Sequence, residues 1–281
     1  MASYNHAPYI EASLDSVLRQ SHSNIEIQVI DDASSDGSAE LLLNLRKRKS
    51  FDLYFHKDNI GPSCTFNEAL ARARGEFIVP FGSDDVMMPW RVEHQIAHMI
   101  DKPEVGICAG NIETIDDRGR VLQKQRRRDL PFRRLNFDDL FLSKKPGPPA
   151  PTLMIRKDIL LEVGGFNQRI RLEDLYIELA VTRKGYFIDV LGEVLAQYRI
   201  HPTNTCKNKR FMVNSVLETY ACFSDHPDYA KACAHYRNSM LLKYARRDKA
   251  LAREILADLP FRAWNMKTLR GIWRLPQPLE E

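Results

Sequence analysis

Three pairs of adjacent acids are the residues in this chain best placed to do chemistry. Asp31-Asp32 closes the apolar run Ile25 to Ile30. Asp84-Asp85 follows Glu76-Phe77-Ile78-Val79-Pro80-Phe81-Gly82-Ser83, and Glu173-Asp174 opens a later patterned segment. Acids that a strand delivers to its own C-terminal end lie where open α/β sheets bind ligands, in the crevice beyond the carboxyl edge. Oxygen donors suit Mg2+ or Mn2+, ions that usually arrive with a substrate phosphate. A nucleotide held through base and ribose at one pair, and through its diphosphate and a metal at another, would use this layout. The same residues also describe simpler things. Gly82 with two acids is a common solvated turn, and Asp174 fits an acid at a helix N-terminus, where the helix dipole favours it.

The elements that must position these acids alternate between helix and strand from Tyr9 to about Val105, which predicts a parallel sheet with helices on its faces. Ile10, Leu14, Val17 and Leu18 mark the first helix. Ser34-Ser35-Asp36-Gly37 caps a Leu-rich second one, and Phe66, Ala69, Leu70 and Ala73 stripe a third after the loop Asn59-Ile60-Gly61. Phe51 to Phe55 reads as a strand between them. After Val105 to Ala109 the alternation fades. Asp116-Asp117-Arg118-Gly119 reads as a hairpin turn, and Lys124 to Arg134 as a solvated basic loop or an attractor of anions. Lys144-Lys145-Pro146-Gly147-Pro148-Pro149 predicts a mobile loop, and Thr152 to Ile155 a strand. Leu172, Leu175, Tyr176, Leu179 and Ala180 mark one more helix. Beyond His201 only helical periods remain, ending in Trp264, Lys267, Arg270, Trp273 and Arg274, which fit either a docked C-terminal helix or one lying on an anionic membrane surface.

The 281 residues are 44% hydrophobic and 28% charged, which suits one large or two small globular domains and excludes disorder. A net charge of +4 is too mild for a dedicated nucleic-acid binder. Five cysteines without metal spacing or an even count argue against a secreted disulfide framework and for a reducing, cytoplasmic setting. No apolar run approaches the ~20 residues that span a bilayer.

The motifs taken in order, Ser3-Tyr4-Asn5, Val29 to Gly37, Asn59-Ile60-Gly61, Asn67, Gly75-Glu76-Phe77-Ile78, Ser83-Asp84-Asp85, Gly164-Gly165-Phe166, Glu173-Asp174 and Tyr198-Arg199-Ile200-His201, resemble those of family 2 glycosyltransferases over roughly residues 1–205. The resemblance implies a GT-A-like, mostly parallel sheet flanked by helices, with residues 1–110 as the nucleotide-sugar half, 111–205 as the acceptor half and 206–281 as a helical extension. It also implies a nucleotide-diphosphate sugar donor, a divalent metal (Mg2+ or Mn2+), a glycan or lipid-linked acceptor hydroxyl and inversion at the anomeric carbon, as in bacterial surface polysaccharide synthesis. Carried over residue by residue, Ser3 and Tyr4 line the nucleotide pocket, Asp31 meets the base, Asp84 lies near the ribose, Asp85 binds the metal and Asp174 is the general base. Glu173 and Arg199 are expected at the substrate, Arg199 against the diphosphate or a surface acid. His201 is expected either as a second metal ligand or as a plain loop residue.

The chain departs from this family at its start. An apolar strand precedes the Ser-Tyr-Asn motif in the family, whereas only Met1 and Ala2 do so here. The expectation is therefore either a start further upstream or a catalytically impaired nucleotide-sugar-binding protein whose central sheet has lost ladder bonds and apolar cover. A nucleotidyltransferase would want a glycine-rich basic phosphate loop near the N-terminus, and none is present.

Overall fold

The computed structural model describes residues 1–122 and 130–279. Two compact units divide the chain: residues 1–137 with 147–204, and residues 138–146 with 205–281. In the first unit, β1 (Ala2–Ser3), β2 (Gln28–Asp31) and β3 (Asp52–Phe55) form a parallel sheet in that order. Every residue of β2 is buried, as expected of a strand covered on both faces. The cover on one side is α1 (Ile10–Leu18) and α2 (Ser38–Arg46), whose Ile10, Leu14, Leu42 and Leu45 are fully excluded from solvent with Val29. Each such side chain contributes about 1.5–3 kcal/mol by burial.

Short as it is, β1 holds a central place. Ala2 pairs with Ile30 on one side and bridges Gly82 on the other, where its amide donates to the Phe81 carbonyl at 3.0 Å. The Met1 carbonyl accepts the Ile30 amide, and the Met1 ammonium group donates to the Gln28 carbonyl at 2.6 Å. Burial pushes that amine down to about 5, since a charge there has lost its water.

A second sheet continues the unit. It orders β4 (Phe77–Ile78), β8 (Met154–Arg156), β6 (Val105–Ile115), β9 (Phe187–Arg199) and β5 (Val86–Met87), with β7 (Arg133–Leu135) paired to β9. Its only parallel pair among the described residues is β6 with β9, while β4–β8, β6–β8, β5–β9 and β7–β9 run antiparallel. The first sheet is thus wholly parallel, and the second is mixed. The helices α3 (Pro62–Arg72), α4 (Arg91–Met99), α6 (Lys157–Glu162) and α7 (Glu173–Arg183) complete this unit, and α5 (Phe137–Phe141) straddles the first boundary between units.

Several local expectations shift. The strand expected from Thr152 to Ile155 begins later, at Met154, because Ala150–Thr152 form a 3-10 turn. The long β9 carries no clean alternation and was not anticipated; it is built by its neighbours β5, β6 and β7. Of the basic stretch, Arg133 and Arg134 belong to β7 rather than a loop, with Arg134 paired bidentately to the fully buried Asp189, and Arg126-Arg127-Arg128 lie outside the described residues. In the expected mobile loop, the amides of Lys144 and Lys145 both donate to the Asp139 carbonyl.

The second unit contains α8 (Lys209–Ala221), α9 (Tyr229–Tyr244), α10 (Lys249–Ala257) and α11 (Met266–Arg274). Val213, Leu241, Tyr244, Leu251, Ala252 and Ile255 form its core.

Candidate active site

The loop after β1 is folded by side chains of the loop after β2. Asn5 adopts a left-handed backbone (φ 55°), which Asn tolerates better than most residues, and its carboxamide oxygen accepts the Ser35 amide at 2.8 Å. The Asn5 amide donates to Ser34 Oγ and the His6 amide to Ser38 Oγ. His6 is thereby held at the carboxyl edge of the sheet, opposite the Ser83-Asp84 segment.

There His6, Asp84 and His201 converge, each offering one donor atom, with all three atoms within 4.8 Å of one another. His201 Nε2 lies 3.1 Å and His6 Nε2 3.8 Å from Asp84 Oδ2. Two ligands of one ion at bonds of ~2.1 Å and a right angle stand about 3 Å apart, so this spacing needs little closure. Each imidazole has its other nitrogen occupied: His6 Nδ1 shares a hydrogen bond with Ser83 Oγ at 2.9 Å and His201 Nδ1 with Thr203 Oγ1 at 2.9 Å. That is the outer-shell pattern that fixes tautomer and ring orientation in metal-binding histidines. Two nitrogens and one carboxylate suit Mn2+ better than the all-oxygen preference of Mg2+. Burial alone would raise Asp84, but the hydrogen bond from His201 and the neighbouring His6 outweigh it and hold the carboxyl below its ordinary value. Burial lowers His6, which favours the neutral, ligating imidazole.

Asp85 points elsewhere. Its carboxylate accepts the Arg199 amide at 2.8 Å, and burial followed by the Asp84 charge drives its carboxyl well above the ordinary range. It lines a cleft of about 150 Å3 with Phe81, Pro151, Phe166, Glu173 and Asp174. The volume is below the ~300–1,000 Å3 of whole small-molecule sites, so this is a corner where a few atoms react rather than a complete nucleotide pocket. Glu173 is pushed up to about 8 by burial and then by the Asp174 charge, and Asp174 is raised by burial against the opposing Leu175 amide, which donates to its carboxylate at 2.8 Å. Glu178, one turn further on, is buried and well above the ordinary range, by burial and the charge of Asp174.

The remaining expected residues have internal partners. Asp31 is 1% exposed and accepts the Ser34 amide, Ser34 Oγ and Ser3 Oγ, so both Asp31 and Ser3 brace the loop from within. Tyr4, 47% exposed, is the member of that motif open to a ligand. The Arg199 guanidinium donates to the carbonyls of Asp84 and Asp116 and lies 4.9 Å over the Tyr9 ring, buried among them.

Sequence reasoning missed His6, which was legible only as the residue after a Tyr-Asn motif; its place beside Asp84 and His201 needs the fold. Asp32, named with Asp31 but given no task of its own, has a carboxylate that takes the Ile60 and Gly61 amides, while His56 bridges it to Glu68 at 2.7 and 2.8 Å. Burial would lower His56, but its bonds to Asp32 and Glu68 raise it.

The unit that presents this edge is an α/β fold of GT-A type. Residues 1–164 match the model of glycosyl transferase family 2, and the chain belongs to that family. It is 29% identical over 208 residues to TuaG of Bacillus subtilis, a glycosyltransferase assigned by name to teichuronic acid biosynthesis, covering 74% of this chain and 80% of TuaG. To the O-antigen biosynthesis glycosyltransferase WbnJ of Escherichia coli it is 28% identical over 229 residues, covering 80% and 84%. Among solved structures it is similar to residues 1–349 of S. aureus TarS in complex with UDP-GlcNAc (TM-score 0.67, 17% identity, 93% and 81% covered). It is also similar to the mannosyltransferase PcManGT of Pyrobaculum calidifontis in complex with GDP-Man and Mn2+ (TM-score 0.64, 16% identity, 98% and 83% covered). Of a longer S. aureus TarS chain it spans 49%. No helix among the described residues is long and apolar enough to cross a membrane.

Proposed function

We propose that this protein transfers a sugar, with inversion, from a nucleotide-diphosphate donor to a hydroxyl of a glycan or lipid-linked acceptor in bacterial surface polysaccharide synthesis. The observation that carries the reading is the division of labour at one sheet edge. His6, Asp84 and His201 gather on one side, and Asp174 and Glu173 share a cleft with Asp85, the next residue along. TuaG and WbnJ support the pathway class, and the complexes of TarS and PcManGT support the donor class. The odd count of five cysteines supports a cytoplasmic setting.

A single displacement needs a base on one face of the sugar and charge stabilisation on the other. Asp174, its proton affinity raised by burial, is suited to take the proton of the acceptor hydroxyl as that oxygen bonds to the anomeric carbon. Glu173, raised to about 8, holds its proton near pH 7 and can donate a hydrogen bond to the sugar rather than compete as base. His6, Asp84 and His201 would hold the divalent ion, which when bound offsets the charge developing on the departing diphosphate. Tyr4 offers its ring to the nucleotide base, and Asp31, Asp32 and Arg199 keep the surrounding loops in place.

The test is nucleotide release from UDP-, GDP- and dTDP-sugars with Mn2+, with and without a glycan or lipid-linked acceptor. Asp174→Asn is expected to lose about 10²–10⁴ in kcat. Nucleotide-sugar binding without turnover, unchanged by Asp174→Asn, would instead leave a catalytically impaired binding protein. No binding to any nucleotide sugar would remove the reading altogether.

A further inference from the structure

The helical unit carries an apolar surface that its own core does not explain. Phe261, Met266, Leu269 and Trp273 are 80, 62, 52 and 70% exposed. The last three fall at i, i+3 and i+7 on α11, a single stripe. The helix cannot roll to bury them, because its opposite face is fixed. Thr268 hydrogen-bonds Asn238 on α9, and Gly271 lies so close to α9 that a Cβ there would stand 2.8 Å from Leu241 Cγ. The capping box of Asn265 and Thr268 locks the entry to the helix. Charge complements the stripe. Residues 259–279 contain Arg262, Lys267, Arg270 and Arg274 and no Asp or Glu. Lys267 donates to Ser239, and no ion pair within the described residues engages Arg262, Arg270 or Arg274. Beside the helix start, a groove of about 610 Å3 is lined by Lys231, His235, Arg237 and Arg262 with Asn238 and Asn265; of the cations, Lys231 has Asp228 at 3.5 Å.

From this combination we propose that α11 and the adjoining groove are a docking face for a bilayer bearing anionic phospholipid, the stripe entering the interface and the cationic groove receiving a phosphate headgroup. Exposed Met, Leu and Trp interleaved with arginines that have no ion pair among the described residues is the composition of an interfacial helix, whose binding combines apolar burial with attraction to anionic lipid. A protein partner would more often pair an apolar patch with a charge-depleted centre. The inference is independent of the metal and base assignments.

The experiment is co-sedimentation of the full chain with vesicles of phosphatidylcholine alone and with about one-third phosphatidylglycerol. Binding is expected only to the anionic vesicles, weakening at high salt, with a blue shift of tryptophan emission. The double variant Leu269→Gln, Trp273→Ala is expected to bind more than tenfold more weakly, and Arg237→Glu with Arg262→Glu likewise, while circular dichroism and nucleotide-sugar binding stay at the parent level. Failure of the parent protein to bind, or equal binding by the double variants, overturns the proposal. A parent dimer in light scattering that the Leu269→Gln, Trp273→Ala variant dissolves, without vesicle binding, would overturn it by assigning the face to a second copy.

Discussion

In the bend between Gly82 and β5, Asp84 and Asp85 are divided between the two histidines and the amide of Arg199. The division makes their substitutions distinguishable. Asp84→Asn is expected to weaken Mn2+ binding by more than ~10-fold in calorimetry or Mn2+ resonance titration, because the central oxygen donor loses its charge. Asp85→Asn should leave Mn2+ affinity near the parent value, since an amide oxygen can still accept from Arg199; the reverse order would restore the metal to Asp85. Glu173 gives a pH prediction. Its carboxyl moves from an ordinary 4.5 to about 8 on folding, so the folded state keeps a proton that the unfolded chain releases between those values. The associated stability is complete below about 4.5 and is lost as pH rises through 8. Glu173→Gln has no proton to lose, so its melting temperature should climb relative to the parent between pH 4 and 9. A constant difference would contradict the raised value.

Helix α3 and the turn before α7 illustrate the element scale. The Asn67 carboxamide accepts the Phe166 amide at 2.8 Å and donates to its carbonyl at 2.7 Å, tying α3 to a turn 99 residues later that lines the cleft. Gly165 makes the approach possible, with φ +72° and the site of a Cβ 2.6 Å from Asn67 Oδ1. Gly165→Ala should cost about 1–3 kcal/mol in urea denaturation, from backbone strain plus displacement of Asn67. Gly185 is also left-handed (φ +99°) but has open space around it, so Gly185→Ala should cost less. Equal losses would mean that the Asn67 contact carries no energy.

At the scale of the molecule, a ligand that binds only the folded chain stabilises it by mass action, about 2.7 kcal/mol at a hundred times its Kd. A cognate nucleotide sugar with Mn2+ should therefore raise the melting temperature by about 5–10 °C. His6→Ala with His201→Ala should abolish the part of the shift that requires Mn2+. A shift of equal size with and without the metal in the parent protein would separate donor binding from the His6–Asp84–His201 group.

The sequence by itself determined the parallel pairing around β2 and β3, the helical character of residues beyond His201 and the three acid pairs. Period and turn chemistry are local properties, and the ordered motifs between Ser3 and His201 record them directly. It did not determine β9, whose Phe187–Arg199 run becomes a strand because β5, β6 and β7 supply its ladder partners. Nor did it decide which acid of a pair faces the edge. That choice rests on contacts between residues 78 and 195 positions apart, His6 with Asp84 and His6 with His201, and such non-local meetings leave no spacing to read. Tertiary structure alone brought the two imidazoles to Asp84 and turned Asp85 toward the cleft of Asp174.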